Sequence, residues 1–392
     1  MYRSKRVLLA TNTFGLLGGE VNGVAYTCQN LVAQFQTNGM PVDVLTYGSP
    51  ERVVELDGRT RIYVHDPVNG MAIDPSLRID PFFARGAIAR AVRENEYALV
   101  QTTTPDPLGW FAANLAAAQS IPLVAGYHTM VDTYARIRFG EIHAALGRAA
   151  ETFLRTLLDW YYRKADLILA PSDAVRDMLR PRFESPVVTL ERGVDHKTFS
   201  PEHRTRSRFS PPRAIYVGRV AQEKGLDKLL TIFRGWEDVE LTIVGDGPYF
   251  DTMKRALPTA RYTGKLTGEA LSREFANGDF FVFPSETDSF GNVVLQAMSS
   301  GLPVVVMDQL GAKQSVLPGI TGFVAHDAEA FGARCRQLAG DVELRLQMGR
   351  AARAHALTYR WDAIFSRLLE LYGIARAGWR GEDGERKLDA VA

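Results

Sequence analysis

Short apolar runs of strand length alternate with helical patterns along the whole chain, and this rhythm restricts the possible folds more than any other feature. Strands are expected at 6–12, 42–47, 61–64, 98–102, 123–127, 166–170 and 187–190, with helices such as 24–36, 81–94, 108–119 and 141–163 between them. The strands carry few interior polar residues. That is the pattern of parallel sheets covered on both faces. Near 200–213 the rhythm stops: Ser200-Pro-Glu-His-Arg-Thr-Arg-Ser-Arg-Phe-Ser-Pro-Pro-Arg is proline-rich, charged and almost free of apolar residues. It reads as an interdomain linker. The alternation then restarts, with strands at 214–217, 240–244, 261–262, 280–284 and 304–307, a turn at 319–322, and last helices at 328–338, 342–355 and 361–375.

The expected organisation is therefore an amino-terminal α/β domain at 1–199, the linker at 200–213, and a second α/β domain at 214–355. A carboxy-terminal helix at 356–376 crosses back to the first domain, and a polar, disordered tail occupies 377–392. With 392 residues, two cores are expected rather than one. A net charge of +1 argues against a nucleic-acid binder. The two cysteines, Cys28 and Cys335, lie far apart without Cys or His companions, so neither a disulfide framework nor a zinc site is expected, and a reducing cytoplasm suits them. The apolar run near the amino terminus is only Val7–Ala10, a strand length rather than an export signal. No stretch approaches the roughly 20 apolar residues that a membrane span needs.

Three segments of the second half carry chemistry, each where a parallel strand should end and ligands of doubly wound sheets bind. In Tyr216-Val-Gly-Arg-Val-Ala-Gln-Glu-Lys-Gly-Leu a strand ends at Gly218, and Arg219 and Lys224 follow. Two such cations suit a departing diphosphate, although a solvated loop with incidental cations has the same spacing. Val244-Gly-Asp-Gly-Pro brings Gly245 and Asp246 to the next strand end, where glycine lets backbone approach a ligand closely; the same residues also make a good turn. The third segment is Phe283-Pro-Ser-Glu-Thr-Asp-Ser-Phe-Gly-Asn-Val-Val-Leu-Gln. Its acidic loop with Glu286 and Asp288 passes through Gly291 into an apolar helix, whose amino-terminal amides form an anion site. A carboxylate would repel phosphate, so Asp288 suits neutral hydroxyl groups. A sugar beside a diphosphate supplies both partners.

In this order and spacing the segments resemble the retaining GT-B glycosyltransferases of the group 1 type. That family includes bacterial sulfoquinovosyl-diacylglycerol synthases, glycolipid glucosyltransferases and phosphatidylinositol mannosyltransferases. Further matches are Asn22-Gly-Val, Gly126-Tyr-His-Thr, Arg192-Gly-Val-Asp with Phe199 and Pro201, and Thr263-Gly-Lys-Leu. The resemblance spans nearly the whole chain and implies two Rossmann-like, doubly wound parallel-sheet domains facing across a cleft, the first choosing the acceptor. It implies that Arg219 and Lys224 bind the donor diphosphate, that Asp288 and His128 contact the transferred sugar, and that backbone from Ser289 and Phe290 to Gly291 and Asn292 holds phosphate. It further implies that Gly264, Lys265 and Leu266 contact the base, and that Asn22 and Gly23 let the first loop pass close to the donor phosphate, beside the Gly218, Gly245 and Asp246 strand ends.

The sequence departs from the family's pair of glutamates seven residues apart: Asp288 stands at the first position, with Glu286 a nearby alternative, and Gln296 at the second. Gln296 lacks the ribose-binding carboxylate but keeps an amide that donates and accepts. Altered donor affinity is the expectation.

The implied function is a hexosyltransferase reaction: transfer, with retention, from a UDP- or GDP-sugar to a lipid or glycan acceptor. No Asp-x-Asp motif is present, and two cations do the work of a metal, so no metal or other cofactor is expected. The rivals are a catalytically weakened nucleotide-sugar-binding protein and a GT-B sugar-nucleotide epimerase. A Rossmann dehydrogenase is disfavoured because no strand leads into GxGxxG. The stretch 134–164 mixes Arg136, Arg138, Arg148, Arg155, Arg163 and Lys164 with Phe139, Trp160 and Tyr161. Such a pattern suits peripheral contact with the inner membrane face, although more often it marks a packed helix with one solvated side.

Overall fold

The computed structural model describes residues 5–15, 22–67, 71–74, 77–80, 82–128, 144–207 and 211–377. The chain divides into two compact units, one made of residues 1–191 and 361–392, the other of Arg192–Arg360.

The first unit is built on an eight-stranded sheet. Its strands are β1 (Arg6–Ala10), β2 (Val42–Tyr47), β3 (Arg52–Glu55), β4 (Thr60–His65), then, after a separate two-stranded ribbon of β5 (Met71–Asp74) and β6 (Leu77–Ile79), β7 (Tyr97–Thr102), β8 (Leu123–Gly126), β9 (Leu167–Ala170) and β10 (Val187–Thr189). The spatial order is β10-β9-β8-β7-β1-β2-β4-β3, parallel throughout except where β3 closes the edge antiparallel to β4. Side chains of β1 alternate between faces, as pleating requires. Val7 and Leu9 join a core with helix α1 (Gly23–Thr37) and the carboxy-terminal helix Trp361–Ala377. Leu8 and Ala10 join the opposite core, with α2 (Ala87–Arg93), α3 (Pro107–Ala118) and α4 (Ala144–Tyr162). The last helix of this face is α5 (Asp173–Leu179). The carboxy-terminal helix is fixed by edge-to-face pairs, Trp361 on Tyr26 and Phe365 on Phe35, and by the Tyr372 hydroxyl, which donates to the Gln101 side chain.

The second unit holds six strands, all parallel: β11 (Arg213–Val217), β12 (Glu240–Val244), β13 (Arg261–Gly264), β14 (Phe280–Phe283), β15 (Val304–Met307) and β16 (Gly322–Ala325), in the order β13-β12-β11-β14-β15-β16. Its helices are α6 (Asp227–Phe233), α7 (Phe250–Ala256), α8 (Gly268–Ala276), α9 (Asn292–Ser299), α10 (Ala328–Gly340) and α11 (Val342–Ala356). Strand order reverses between β1 and β7 in the first sheet and between β11 and β14 in the second. At such a reversal the loops leave in opposite directions and open a crevice at the carboxyl ends of the strands.

Three expectations need correction. Residues 200–213 are not a free linker: the division falls at Glu191/Arg192, and Val194 and Phe199 already belong to the second core. Arg204 and Arg206 there converge on Asp279 at 2.8 and 3.1 Å, and all three side chains are about nine-tenths buried. The charge that resembled solvated sequence thus forms a buried ion cluster. The helix expected at 81–94 is interrupted at Gly86, giving a short 3-10 turn at Phe83–Arg85 before α2. The turn at 319–322 leads into the strand β16, which the sequence reading omitted. The polar tail beyond Ala377 and the segment 129–143, including Arg136, Arg138 and Phe139, lie outside the described residues.

Candidate donor site in the second unit

The reversal between β11 and β14 sets two loops side by side. The loop after β11 carries Gly218, Arg219 and Lys224; the loop after β14 carries Glu286, Asp288 and Ser289. Three contacts tie them together. The Thr287 hydroxyl donates to the Glu223 carbonyl at 3.3 Å. Gly225 adopts φ +68°, and a Cβ there would come within 2.5 Å of the Pro284 carbonyl oxygen. Between them, the Lys224 ammonium donates to both carboxylate oxygens of Asp288, at 3.0 and 2.9 Å. Both side chains of this pair are largely but not fully buried, at 12% and 24% exposure, so solvent or a ligand can still reach them. A second pair runs parallel to it, Lys228 to Glu286 at 2.8 Å. Arg219 is exposed at the mouth of the same loop, with its carbonyl accepting from the Tyr216 hydroxyl at 2.8 Å.

Neighbouring strand ends form a floor of bare backbone. The Gly218 N–H donates to Val244 and the Gly245 N–H to Gly264, at 3.0 and 2.9 Å. A Cβ on Gly245, whose φ is +141°, would sit 1.9 Å from the Gly218 carbonyl oxygen. Only glycine permits this approach. Asp246 is exposed and its carboxylate accepts from the Gly247 N–H at 2.7 Å. Lys265 is exposed, while Leu266 packs on the core.

The acidic loop turns into α9 at Gly291, with φ +81°, and no side chain caps the helix. Its first turn thus faces the loop with backbone amides and the positive end of the dipole. Gly311 braces the approach: its N–H donates to the Asp288 carbonyl at 3.2 Å, and a Cβ on it would overlap the Ser289 carbonyl. Phe290 is buried and anchors the turn, with Asn292 opening the helix. Gln296 lies one turn further along α9, at 6% exposure.

Structure therefore brings Lys224, Asp288, Glu286, the glycine floor and the start of α9 to one crevice. The Lys228–Glu286 pair was not anticipated; its only sequence signal was a lysine four residues after Lys224. Asn22, Gly23 and His128 belong to the first unit. Asn22 caps α1, its Oδ1 accepting from the amides of Val24 and Ala25 at 3.0 Å each, and Gly23 opens the helix. His128 follows β8 and is half-buried; a Cβ at Gly126 would stand 2.5 Å from its Nε2, so the glycine makes room for the imidazole. Among the described residues, no three His, Cys, Asp or Glu side chains are grouped to hold a metal, and no helix is long and apolar enough to cross a membrane.

Residues 211–341 match the family model described as glycosyl transferases group 1, and residues 21–198 match glycosyltransferase family 4. A GDP-mannose-dependent alpha-mannosyltransferase of Mycobacterium tuberculosis is 34% identical over 367 residues, covering 91% of this chain and 94% of that protein. The sulfoquinovosyl transferase SQD2 of Arabidopsis thaliana is 32% identical over 303 residues, or 72% of this chain, which spans only 58% of that longer protein. Sucrose-phosphate synthase from Thermosynechococcus elongatus superposes with a TM-score of 0.78 at 20% identity, over 94% of this chain and 98% of that one, a likeness of fold. The chain belongs to the group 1 glycosyltransferases and has the two parallel-sheet α/β units of the GT-B fold.

Proposed function

We propose that the protein transfers a hexosyl group from a UDP- or GDP-sugar to a lipid or glycan acceptor, with retention of configuration and without a metal ion. The observation that carries this reading is the Lys224–Asp288 pair, held at the strand reversal beside exposed Arg219 and the uncapped start of α9. An arriving diphosphate supplies anionic oxygens that compete with Asp288 for the Lys224 ammonium. Once the lysine turns to the phosphate, the carboxylate is released to accept hydrogen bonds from sugar hydroxyls. Arg219, Lys224 and the α9 amides then stabilise the charge that develops as the sugar–phosphate bond breaks. This is the task a divalent metal performs elsewhere. The acceptor hydroxyl attacks from the face the leaving group vacates, and the departing phosphate takes its proton. His128 and Asp288 contact the sugar, Gln296 and the Gly264–Leu266 stretch the nucleoside, and Asn22–Gly23 the donor phosphate.

The mycobacterial relative is named for GDP-mannose, which makes that donor the first to try. Peripheral membrane contact fits the exposed Phe153 and Trp160, seven residues apart on one face of α4, with the Lys164 ammonium 5.5 Å from the Trp160 ring.

The test uses labelled GDP-mannose and UDP-glucose with diacylglycerol, phosphatidylinositol or simple glycosides as acceptors, with and without EDTA. A glycoside keeping the donor's configuration, formed equally in EDTA, is expected. An inverted product overturns retention, and activity abolished by EDTA and restored by magnesium overturns metal independence. Saturable nucleotide binding without turnover on any acceptor points to the non-catalytic alternative.

A further inference from the structure

Two ion pairs join the loops of the candidate donor site, and their lysines are mounted differently. Lys224 ends a single 3-10 turn, Gln222–Lys224, immediately before left-handed Gly225. Lys228 lies in the first turn of α6, where Leu226 and Leu229 on either side of it are fully buried in the core. Its backbone is thereby pinned, and its N–H donates to the Gly225 carbonyl at 3.1 Å. The lysine side chain passes over the bare face of Gly225, where an added Cβ would stand 3.1 Å from Nζ, and reaches Glu286 at 2.8 Å. A cation in the first turn of a helix opposes the helix dipole, so this lysine gains from an acid placed opposite it.

The acidic loop depends on such ties, because residues 284–291 form neither helix nor strand. Besides the two ion pairs, the Thr287 hydroxyl holds the Glu223 carbonyl at 3.3 Å and the Gly311 N–H holds the Asp288 carbonyl at 3.2 Å. When Lys224 turns to an arriving diphosphate, one ion pair opens and Asp288 faces an anion that repels it. We propose that the Lys228–Glu286 pair stays closed through this exchange and anchors the loop, so that the freed Asp288 carboxylate remains at the sugar. Lys228 and Glu286 are then positioning residues, and neither touches the substrate.

The assignment rests on the transferase reading above and gives the second ion pair a task within it. Glu286 is half-exposed, so the pair adds little to global stability, and its value lies in where it holds the loop. Placement matters more than stability at a reacting centre, where a shift of about 1 Å can cost up to about a hundredfold in rate. The pair also balances the Glu286 charge, which would otherwise add to that of Asp288 against the diphosphate.

The experiment compares wild type with Lys228→Met, Glu286→Gln and the double variant. It measures kcat with whichever sugar nucleotide the wild type turns over, Kd for the matching nucleoside diphosphate, and the thermal midpoint. Each single variant should lower kcat about tenfold, while Kd for the nucleoside diphosphate stays within about threefold, because that ligand has no sugar for Asp288 to hold. The double variant should be no slower than the slower single, since the same pair is broken in all three. Thermal midpoints should stay within about 3 °C of wild type. Unchanged kcat in both single variants, losses that multiply in the double variant, or a nucleoside diphosphate Kd that rises as far as kcat falls each overturns the proposal. So does a Glu286→Gln loss about tenfold beyond that of Lys228→Met, which would make Glu286 a direct sugar ligand. A wild type that transfers from no donor to any acceptor refutes instead the reading on which the proposal rests.

Discussion

Replacing Asp106 by asparagine should make the first unit more stable at alkaline pH, with a pH dependence that can be worked out in advance. Asparagine keeps the side-chain oxygen that caps α3, so the helix start is retained. What changes is titration. Desolvation raises the Asp106 carboxyl from 3.8 to about 7 in the fold, against opposing hydrogen bonds from Gly109, Leu108 and Thr104. A raised carboxyl pKa means that the folded state holds a proton the unfolded state has released. Stability contributed by the neutral form is therefore complete below about pH 4, declines as pH rises towards 7, and levels off above. Linkage applied to those two values gives a loss of about 2–3 kcal/mol between pH 5 and pH 8. The assay is hydrogen exchange of the β7 amides, which reads opening of the first unit alone. After correction for intrinsic exchange, wild-type protection should fall roughly a hundredfold more than that of Asp106→Asn over this interval, because groups common to both proteins cancel. Equal pH dependence in the two proteins, or a variant less stable at pH 8, would show that the carboxyl is ionised and well solvated and would refute the reasoning.

Three further predictions follow from the second unit. Lys224→Met should lower kcat for transfer by about 100- to 1000-fold, the usual consequence of deleting one preorganised charge-stabilising donor; retention of more than a tenth of wild-type kcat would remove the lysine from the chemistry. Gly245→Ala forces a methyl to within 1.9 Å of the Gly218 carbonyl at a φ of +141°, so urea unfolding should show a loss of about 2–5 kcal/mol. A stability within 1 kcal/mol of wild type, by an approximate criterion set by surface substitutions, would mean that the strand ends are looser than described. Asp279→Ala takes the shared carboxylate from Arg204 and Arg206 and should cost about 3 kcal/mol by the same measurement, the low end for breaking a buried pair because Arg206 keeps Glu240 at 2.9 Å, whereas a solvated linker at these arginines would lose almost nothing.

How far the sequence could be read depends on whether a residue's role is local or needs distant partners. The sheets were legible because each strand is buried on two faces and announces itself as an apolar run; β2, β7 and β14 are buried at every position. Exposed edge strands such as β3, with alternating half-buried and exposed residues, give no such run and escaped notice. The same logic explains the misread linker. Arg204 and Arg206 look like solvated charge because their counterion, Asp279, is more than 70 residues away. In the candidate donor crevice, Arg219, Lys224 and Asp288 were identifiable because glycine and charge punctuate the ends of strands, yet nothing in the sequence says that Lys224 and Asp288 should bond to each other 64 residues apart. Strand order brings them together: β11 and β14 are neighbours although β12 and β13 intervene in the chain. Asp106 illustrates the limit most clearly. Thr-Pro-Asp-Pro reads as an ordinary helix cap, and a cap it is through one carboxylate oxygen. Only the packed fold buries that carboxyl, and burial raises it to about 7. The information that separates an ordinary cap from one with a raised carboxyl is thus held in tertiary burial, which no local pattern encodes.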